Sequence, residues 1–255
     1  MIGIVVVSHS PALAQAAVDL ALEMVRETPP SIAIAAGAGE GIIGTDAVKV
    51  ANAIDEVASG DGVLVFMDLG SAVLSGTMAT EFMSTSDEVR LTDAPFVEGL
   101  IAAVVLANAG ASLDEVDREA RAAMGAKQSQ LADRDEAAPA ADIVSSESNA
   151  AMATDPEGAA PSAITAEETI VSSDGLHTRP ATAIVQALAG VDAAVTITDL
   201  TTGGGPVSAK SMIGIMSLGA KKGDVVAFSA TGSAAQDAID TLVGMTRDGF
   251  GELES

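Results

Sequence analysis

Two histidines are all the imidazole in this chain of 255 residues, and each is followed at once by residues suited to starting a helix. In Gly175-Leu176-His177-Thr178-Arg179-Pro180-Ala181, Thr178 is placed to act as the N-cap, and Pro180 fits the first turn, where a missing N–H costs nothing. The helix expected through Ala183, Ile184, Val185 and Leu188 then opens with unpaired backbone N–H groups beside an imidazole, which is an anion site next to a nucleophile. Arg179 adds a permanent charge and forked donors that match phosphate oxygens. These are the parts needed by a histidine that carries a phosphoryl group.

The other histidine, His9, ends the apolar run Ile2 to Val7. That run is continuous rather than alternating, which predicts a buried strand of a parallel sheet. Ser10 offers an N-cap and Pro11 a first helical residue for the segment that follows. Further strands are expected at Ile32–Ala36, Val63–Met67 and Val89–Leu91. Helices are expected after Thr45-Asp46, after Asp68-Leu69-Gly70-Ser71, from Val97 to Asn108, and after the capping box Ser112-Leu113-Asp114-Glu115. Strands alternating singly with helices imply an open, mostly parallel sheet, whose ligands bind outside the carboxyl ends of the strands.

Under that rule His9, the glycine-rich loop from Gly37 to Thr45, and Asp68 converge on one rim although they are far apart in the chain. A carboxylate beside an imidazole fixes its tautomer and leaves the other nitrogen free to attack, and Asp68 is the candidate for that role. Spacing alone fits Asp68 equally well as a helix N-cap, and the glycines as a plain connection. The loop matches neither the Walker A nor the dinucleotide pattern, so no nucleotide site is assigned.

From Lys127 to about Ala166 the apolar periodicity gives way to Ala, Ser, Asp, Glu and Pro, the composition of a disordered linker. The expected division is therefore 1–126, a linker 127–166, and a second domain 167–255. In the second domain, strands are expected near Thr169–Ser172, Ala194–Thr198 and Asp224–Ser229, with helices from His177, from Ser211, and from Ala234 to about Met245. Strands and helices no longer alternate, which predicts an α+β sandwich with its helices on one face of an antiparallel sheet.

Composition removes several functions. A net charge of −24 with twelve Lys and Arg argues against nucleic acid and against an anionic membrane surface, and favours a solvated acidic exterior. Cys is absent, which excludes disulfides and zinc–cysteine sites and fits a cytoplasmic location. The apolar start is too short and lacks the basic leader of a signal peptide or membrane span. Two histidines in separate domains make a poor metal site, so neither metal nor cofactor is expected.

The stretch Gly175 to Ala181 resembles the active-site motif of HPr, the phosphocarrier of the bacterial phosphoenolpyruvate:sugar phosphotransferase system. Ala209-Lys210-Ser211-Met212-Ile213-Gly214 resembles the HPr segment around its regulatory serine. Ser211 is thereby a candidate for regulatory phosphorylation, although an N-cap role explains a serine there just as fully. In the first half, Val7-Ser8-His9-Ser10, Gly44-Thr45-Asp46-Ala47, Met67-Asp68-Leu69-Gly70-Ser71-Ala72 and Ala94-Pro95-Phe96 are similar to the phosphotransferase subunits of bacterial dihydroxyacetone kinases, whose first domain is of the mannose-type EIIA kind. That resemblance implies that His9 is phosphorylated with Asp68 as its neighbour, and that the first domain forms a homodimer. Ser10, Thr45, Ser71 and Thr178 are the candidate phosphate-binding hydroxyls.

Together the resemblances imply a relay in which enzyme I charges His177, His177 charges His9, and His9 serves the ADP-bearing subunit that works beside the dihydroxyacetone-binding one. With no third domain like enzyme I before Ser255, the donor is expected to be a separate protein. Two other readings share these motifs: an EIIA–HPr fusion serving a sugar permease, and a regulatory protein whose phosphorylation state is sensed.

Overall fold

The computed structural model describes residues 1–25, 28–125, 127–128 and 163–252. The bulk of the stretch read as a linker lies outside the described residues.

Four parallel strands form the first sheet, β1 (Gly3–Ser8), β2 (Ile32–Ala36), β3 (Val63–Met67) and β4 (Val89–Leu91), in the order β2-β1-β3-β4. β1 is central and buried along its whole length, which explains why its sequence is a continuous apolar run. Its side chains divide by parity. Ile4 and Val6 join Leu64 and Phe66 under α1 (Pro11–Leu22), α4 (Phe96–Asn108) and α5 (Leu113–Ala122). Val5 and Val7 join Val63 and Val65 under α2 (Ala47–Val57) and α3 (Gly70–Phe82). The result is a three-layer sandwich with helices on both faces, as the alternation of elements predicted.

Helix starts follow the expected chemistry. Ser10 caps α1 through Leu13 N–H, with Pro11 as its first residue. Asp46 caps α2 by accepting from Val48 and Lys49, and the Ser112–Glu115 capping box opens α5. One reading is corrected: Asp68 does not cap α3, whose N-cap position falls to Leu69 without a side-chain bond.

The second sheet is antiparallel, β5 (Ile164–Thr169), β6 (Ala194–Asp199), β7 (Val207–Ser208) and β8 (Val225–Thr231), ordered β5-β8-β6-β7. Val226, Phe228 and Ala230 of β8 alternate inward with Val195 and Ile197 of β6. They pack under α6 (Thr178–Ala187), α7 (Met212–Ser217) and α8 (Ala235–Arg247). The first strand of this domain lies earlier than Thr169–Ser172. Its alternation Ile164-Thr165-Ala166-Glu167-Glu168-Thr169 exposes every second residue, so by composition it passes for linker. The two-residue β7 gave no sequence signal.

α4 is apolar on all sides, which a helix tolerates only when it is covered all round. The sheet and α1 cover one side, and α6 and α7 of the second domain meet the other. Two polar links cross this contact. The Glu119 carboxylate, nearly buried, accepts the Ile213 N–H at 3.3 Å, and the Gln186 amide donates to Asn108 Oδ1 at 3.3 Å. Among the described residues no helix is long and apolar enough to cross a membrane.

Candidate functional site

The chain leaves β1 for β2 on one side, then crosses to β3 on the other, so the crevice between β1 and β3 is the switch point of the sheet. Val7 pairs with Met67, and the Asp68 N–H donates to Val7 O at 3.2 Å. This register sets the residues after β1 against the first residue after β3.

Asp68 uses both oxygens there. Oδ1 lies 2.9 Å from His9 Nδ1, while Oδ2 accepts the His9 backbone N–H at 2.9 Å and the Ser8 hydroxyl at 2.9 Å. Ser8, fully buried, accepts in turn from the Ser10 N–H at 3.1 Å. Burial works to raise the Asp68 carboxyl, but the His9 N–H, the His9 ring and the Ser8 hydroxyl outweigh it and hold the group below the ordinary carboxylate range. A carboxylate kept ionised in this way accepts the hydrogen bond of Nδ1–H and so leaves the lone pair on Nε2. Nε2 faces the Ser71 hydroxyl, 3.0 Å away in the first turn of α3.

The glycine-rich loop reaches this rim as a brace. Gly37 N–H donates to Ser8 O at 3.1 Å and Gly44 N–H to His9 O at 3.2 Å, which fixes the backbone that bears the imidazole. Thr45 turns to Ser75 at 2.7 Å, and the Ser10 oxygen is occupied by its helix. Among the described residues, Ser71 is therefore the one expected phosphate-binding hydroxyl in contact with a histidine ring.

The second site stands at the start of α6. Gly175 has φ +73°, and a Cβ there would lie 2.1 Å from Ala220 O, so the turn entering the site admits no other residue. His177 itself, not Thr178, takes the N-cap position, because its carbonyl accepts the Ala181 N–H at 3.0 Å. Thr178 is instead the first helical residue, while Pro180 lies in the first turn as expected. Arg179 is exposed and makes no hydrogen bond or ion pair with a described residue. His177 Nε2 meets the Glu252 carboxylate at 3.0 Å to Oε1 and 3.2 Å to Oε2. Ser211 caps α7 by accepting the Gly214 N–H at 2.8 Å.

A cleft of about 860 Å³ runs beside this site, lined by Arg179, Thr182, Phe250 and Glu252 and by Leu22 and Met24 at the far end of α1. Two contributors escaped the sequence reading. Ser8 adjoins His9 but reads there as the polar end of a strand, and Glu252 lies 75 residues from its histidine, outside any motif.

Two family models match the chain: the PTS system fructose IIA component (EIIA-man) over residues 3–117, and the PTS HPr component phosphorylation site over residues 164–248. The phosphoryl donor subunit DhaM of the PEP-dependent dihydroxyacetone kinase of Escherichia coli is 37% identical over 258 residues, covering 100% of this chain and 52% of that protein. The phosphotransferase subunit DhaM of the PTS-dependent dihydroxyacetone kinase of Lactococcus lactis is 36% identical over 119 residues, 46% of this chain and 91% of that one. Among solved structures, the HPr of Thermoanaerobacter tengcongensis is 36% identical, with a TM-score of 0.33, covering 35% of this chain and 97% of that one. The chain spans about half the length of the curated relatives that it matches from end to end. With an EIIA-man unit followed by an HPr unit, and with relatives above 30% identity covered almost completely, the chain belongs to the DhaM family of dihydroxyacetone kinase phosphoryl donor subunits.

Proposed function

We propose that the chain relays a phosphoryl group from enzyme I to His177, from His177 to His9, and from His9 to the ADP-bearing subunit of a dihydroxyacetone kinase. The observation that carries this reading is the clamp of Asp68 on His9. It presents Nε2 as a nucleophile with its lone pair outward and a hydroxyl beside it. At His177 the polarity is reversed, since Glu252 engages Nε2 and leaves Nδ1 as the attacking atom.

Transfer between the rings is then a single displacement. The bond from phosphorus to Nδ1 of His177 breaks with its electron pair returning to that nitrogen, while Nε2 of His9 forms the new bond. The Nδ1 proton of His9 remains held by Asp68. The Ser71 O–H turns from Nε2 to a phosphoryl oxygen, and Arg179 offsets charge at the other ring. No metal or cofactor is required by this scheme.

A homodimer of the first domain is supported by the outer side of α3, where Leu74, Met78 and Phe82 recur every fourth residue with about half or more of their surface in solvent. The test of function is labelled phosphoenolpyruvate with purified enzyme I, followed by locating the label, and then by assaying dihydroxyacetone phosphorylation with the other kinase subunits. Label on both histidines together with turnover supports the relay. Label without turnover leaves a phosphocarrier of another pathway.

A further inference from the structure

The geometry points to Glu252 as a positioning residue that keeps the proton on Nε2 of His177 throughout the cycle, so that the ring departs as a neutral imidazole when its phosphoryl group leaves. This deepens the proposed relay and rests on it.

Both oxygens of the carboxylate lie within hydrogen-bonding reach of one ring nitrogen, at 3.0 and 3.2 Å, and the two side chains shelter each other, with 32% and 20% of their surfaces exposed. Among the described residues the Glu252 side chain has no other hydrogen-bonding or ionic partner. The chain is bent to bring it there. After α8 a single 3₁₀ turn, Gly249–Gly251, folds back toward α6, with Phe250 in the left-handed region at φ 57°. A bulky residue adopts that conformation only where its surroundings impose it. Phe250 packs partly buried against the core, and the Glu252 N–H closes the turn onto Gly249 O at 3.0 Å.

A carboxylate on Nε2 fixes the tautomer in which Nδ1 bears the lone pair. Once phosphorus is bound to Nδ1, a proton retained on Nε2 makes the ring cationic and a better leaving group. When the N–P bond breaks, its electron pair returns to Nδ1 and the ring is again the neutral Nε2–H form. No proton needs to enter or leave during either half of the cycle. Arg179 lines the same cleft, is exposed and has no partner among the described residues, so its guanidinium is available to phosphoryl oxygens while Glu252 engages the ring.

The test uses the full chain labelled with 15N at histidine; with two histidines the ring nitrogens are readily assigned. The unsubstituted protein should show His177 protonated at Nε2. Glu252→Ala should give mixed tautomers and slow the passage of phosphoryl from His177 to His9 by roughly ten- to a hundredfold, the range seen when an orienting partner of a histidine is lost. Glu252→Gln, whose carbonyl can accept the same bond, should restore the tautomer and only part of the rate. Unchanged ring signals in Glu252→Ala, or shifted signals with unchanged transfer, overturn the proposal. Far-ultraviolet circular dichroism and the melting curve of each variant report whether the second domain, which holds both His177 and Glu252, remains folded. If His177 of the unsubstituted protein accepted no phosphoryl group, the relay itself would fail, while the ring signals would still decide the Glu252 contact.

Discussion

Asp68 holds His9 at two points, with one oxygen 2.9 Å from the ring Nδ1 and the other 2.9 Å from the backbone N–H of the same residue. Ring and main chain are thus positioned by a single side chain that also receives the Ser8 hydroxyl. Asp68→Asn keeps the shape but offers an amide where a proton must be accepted. Phosphorylation of His9 should fall by at least about a hundredfold, in line with losses from misplaced proton partners, while labelling of His177 by enzyme I stays normal. A matching collapse of the first domain's unfolding transition would show instead that Asp68 maintains the fold.

The same contact predicts a pH dependence. The Asp68 carboxyl titrates lower in the folded chain than in the unfolded one. Its stabilisation is therefore complete above the ordinary carboxylate range and is lost as pH falls through the folded value. Urea midpoints measured downward from neutral pH should decline more steeply in the unsubstituted protein than in Asp68→Asn. Parallel curves would remove Asp68 from the acid response.

Ser8→Ala withdraws a buried donor from Asp68 and the acceptor of the Ser10 N–H. The expected cost is about 1–3 kcal/mol of stability, the penalty for polar groups left unpaired. Transfer at His9 should also slow. Denaturant unfolding checks the first effect and single-turnover labelling the second; a variant as stable as the parent contradicts the hydrogen bonds described.

The proposed order of transfer predicts that His177→Ala abolishes labelling at both positions, whereas His9→Ala leaves His177 chargeable. Arg179→Ala should slow charging of His177 by about a hundredfold, as when a preorganised donor to transferring charge is removed, and shift the melting temperature little, because an exposed, unpaired Arg contributes little to folding. Lys at this position should rescue in part. Strong labelling of His9 in His177→Ala protein reverses the order.

Met78→Glu places a charge on the exposed apolar side of α3. If that side joins two copies, sedimentation should show monomers in place of dimers, with the melting curve of the isolated fold preserved. An unaltered dimer moves the interface elsewhere.

Most of the frame was legible because local chemistry and tertiary demand agree. The continuous apolar run of β1 predicts burial on both faces, and Ser10-Pro11 and Ser112-Leu113-Asp114-Glu115 carry their helix starts in the sequence itself. Reading failed where a residue satisfies two rules at once. Thr178 has the spacing of an N-cap, but the bond from Ala181 assigns that place to His177; at Asp68 spacing leaves the cap and the imidazole partner both open, and the register of β1 on β3 decides for the partner. The linker boundary expected near Ala166 falls inside β5, because an alternating edge strand rich in Thr and Glu has the composition of a solvated segment. Glu252 was invisible, since nothing in sequence signals a turn that folds back 75 residues to a ring.

The all-round apolar character of α4 has a consequence for traffic between the two histidines. With the second domain seated on α4 and α5, His9 stands two residues before the start of α1 and the His177 cleft opens at its far end, so the length of a twelve-residue helix, about 18 Å, lies between them. Reacting atoms must come within about 3.5 Å for the displacement to occur. The seated arrangement is thus a closed siding. In the proposed relay each turnover then requires the contact at Glu119 and Ile213 to part, or a second chain to bring its own histidine, and the affinity of that contact becomes a throttle on flux that neither histidine's own surroundings control.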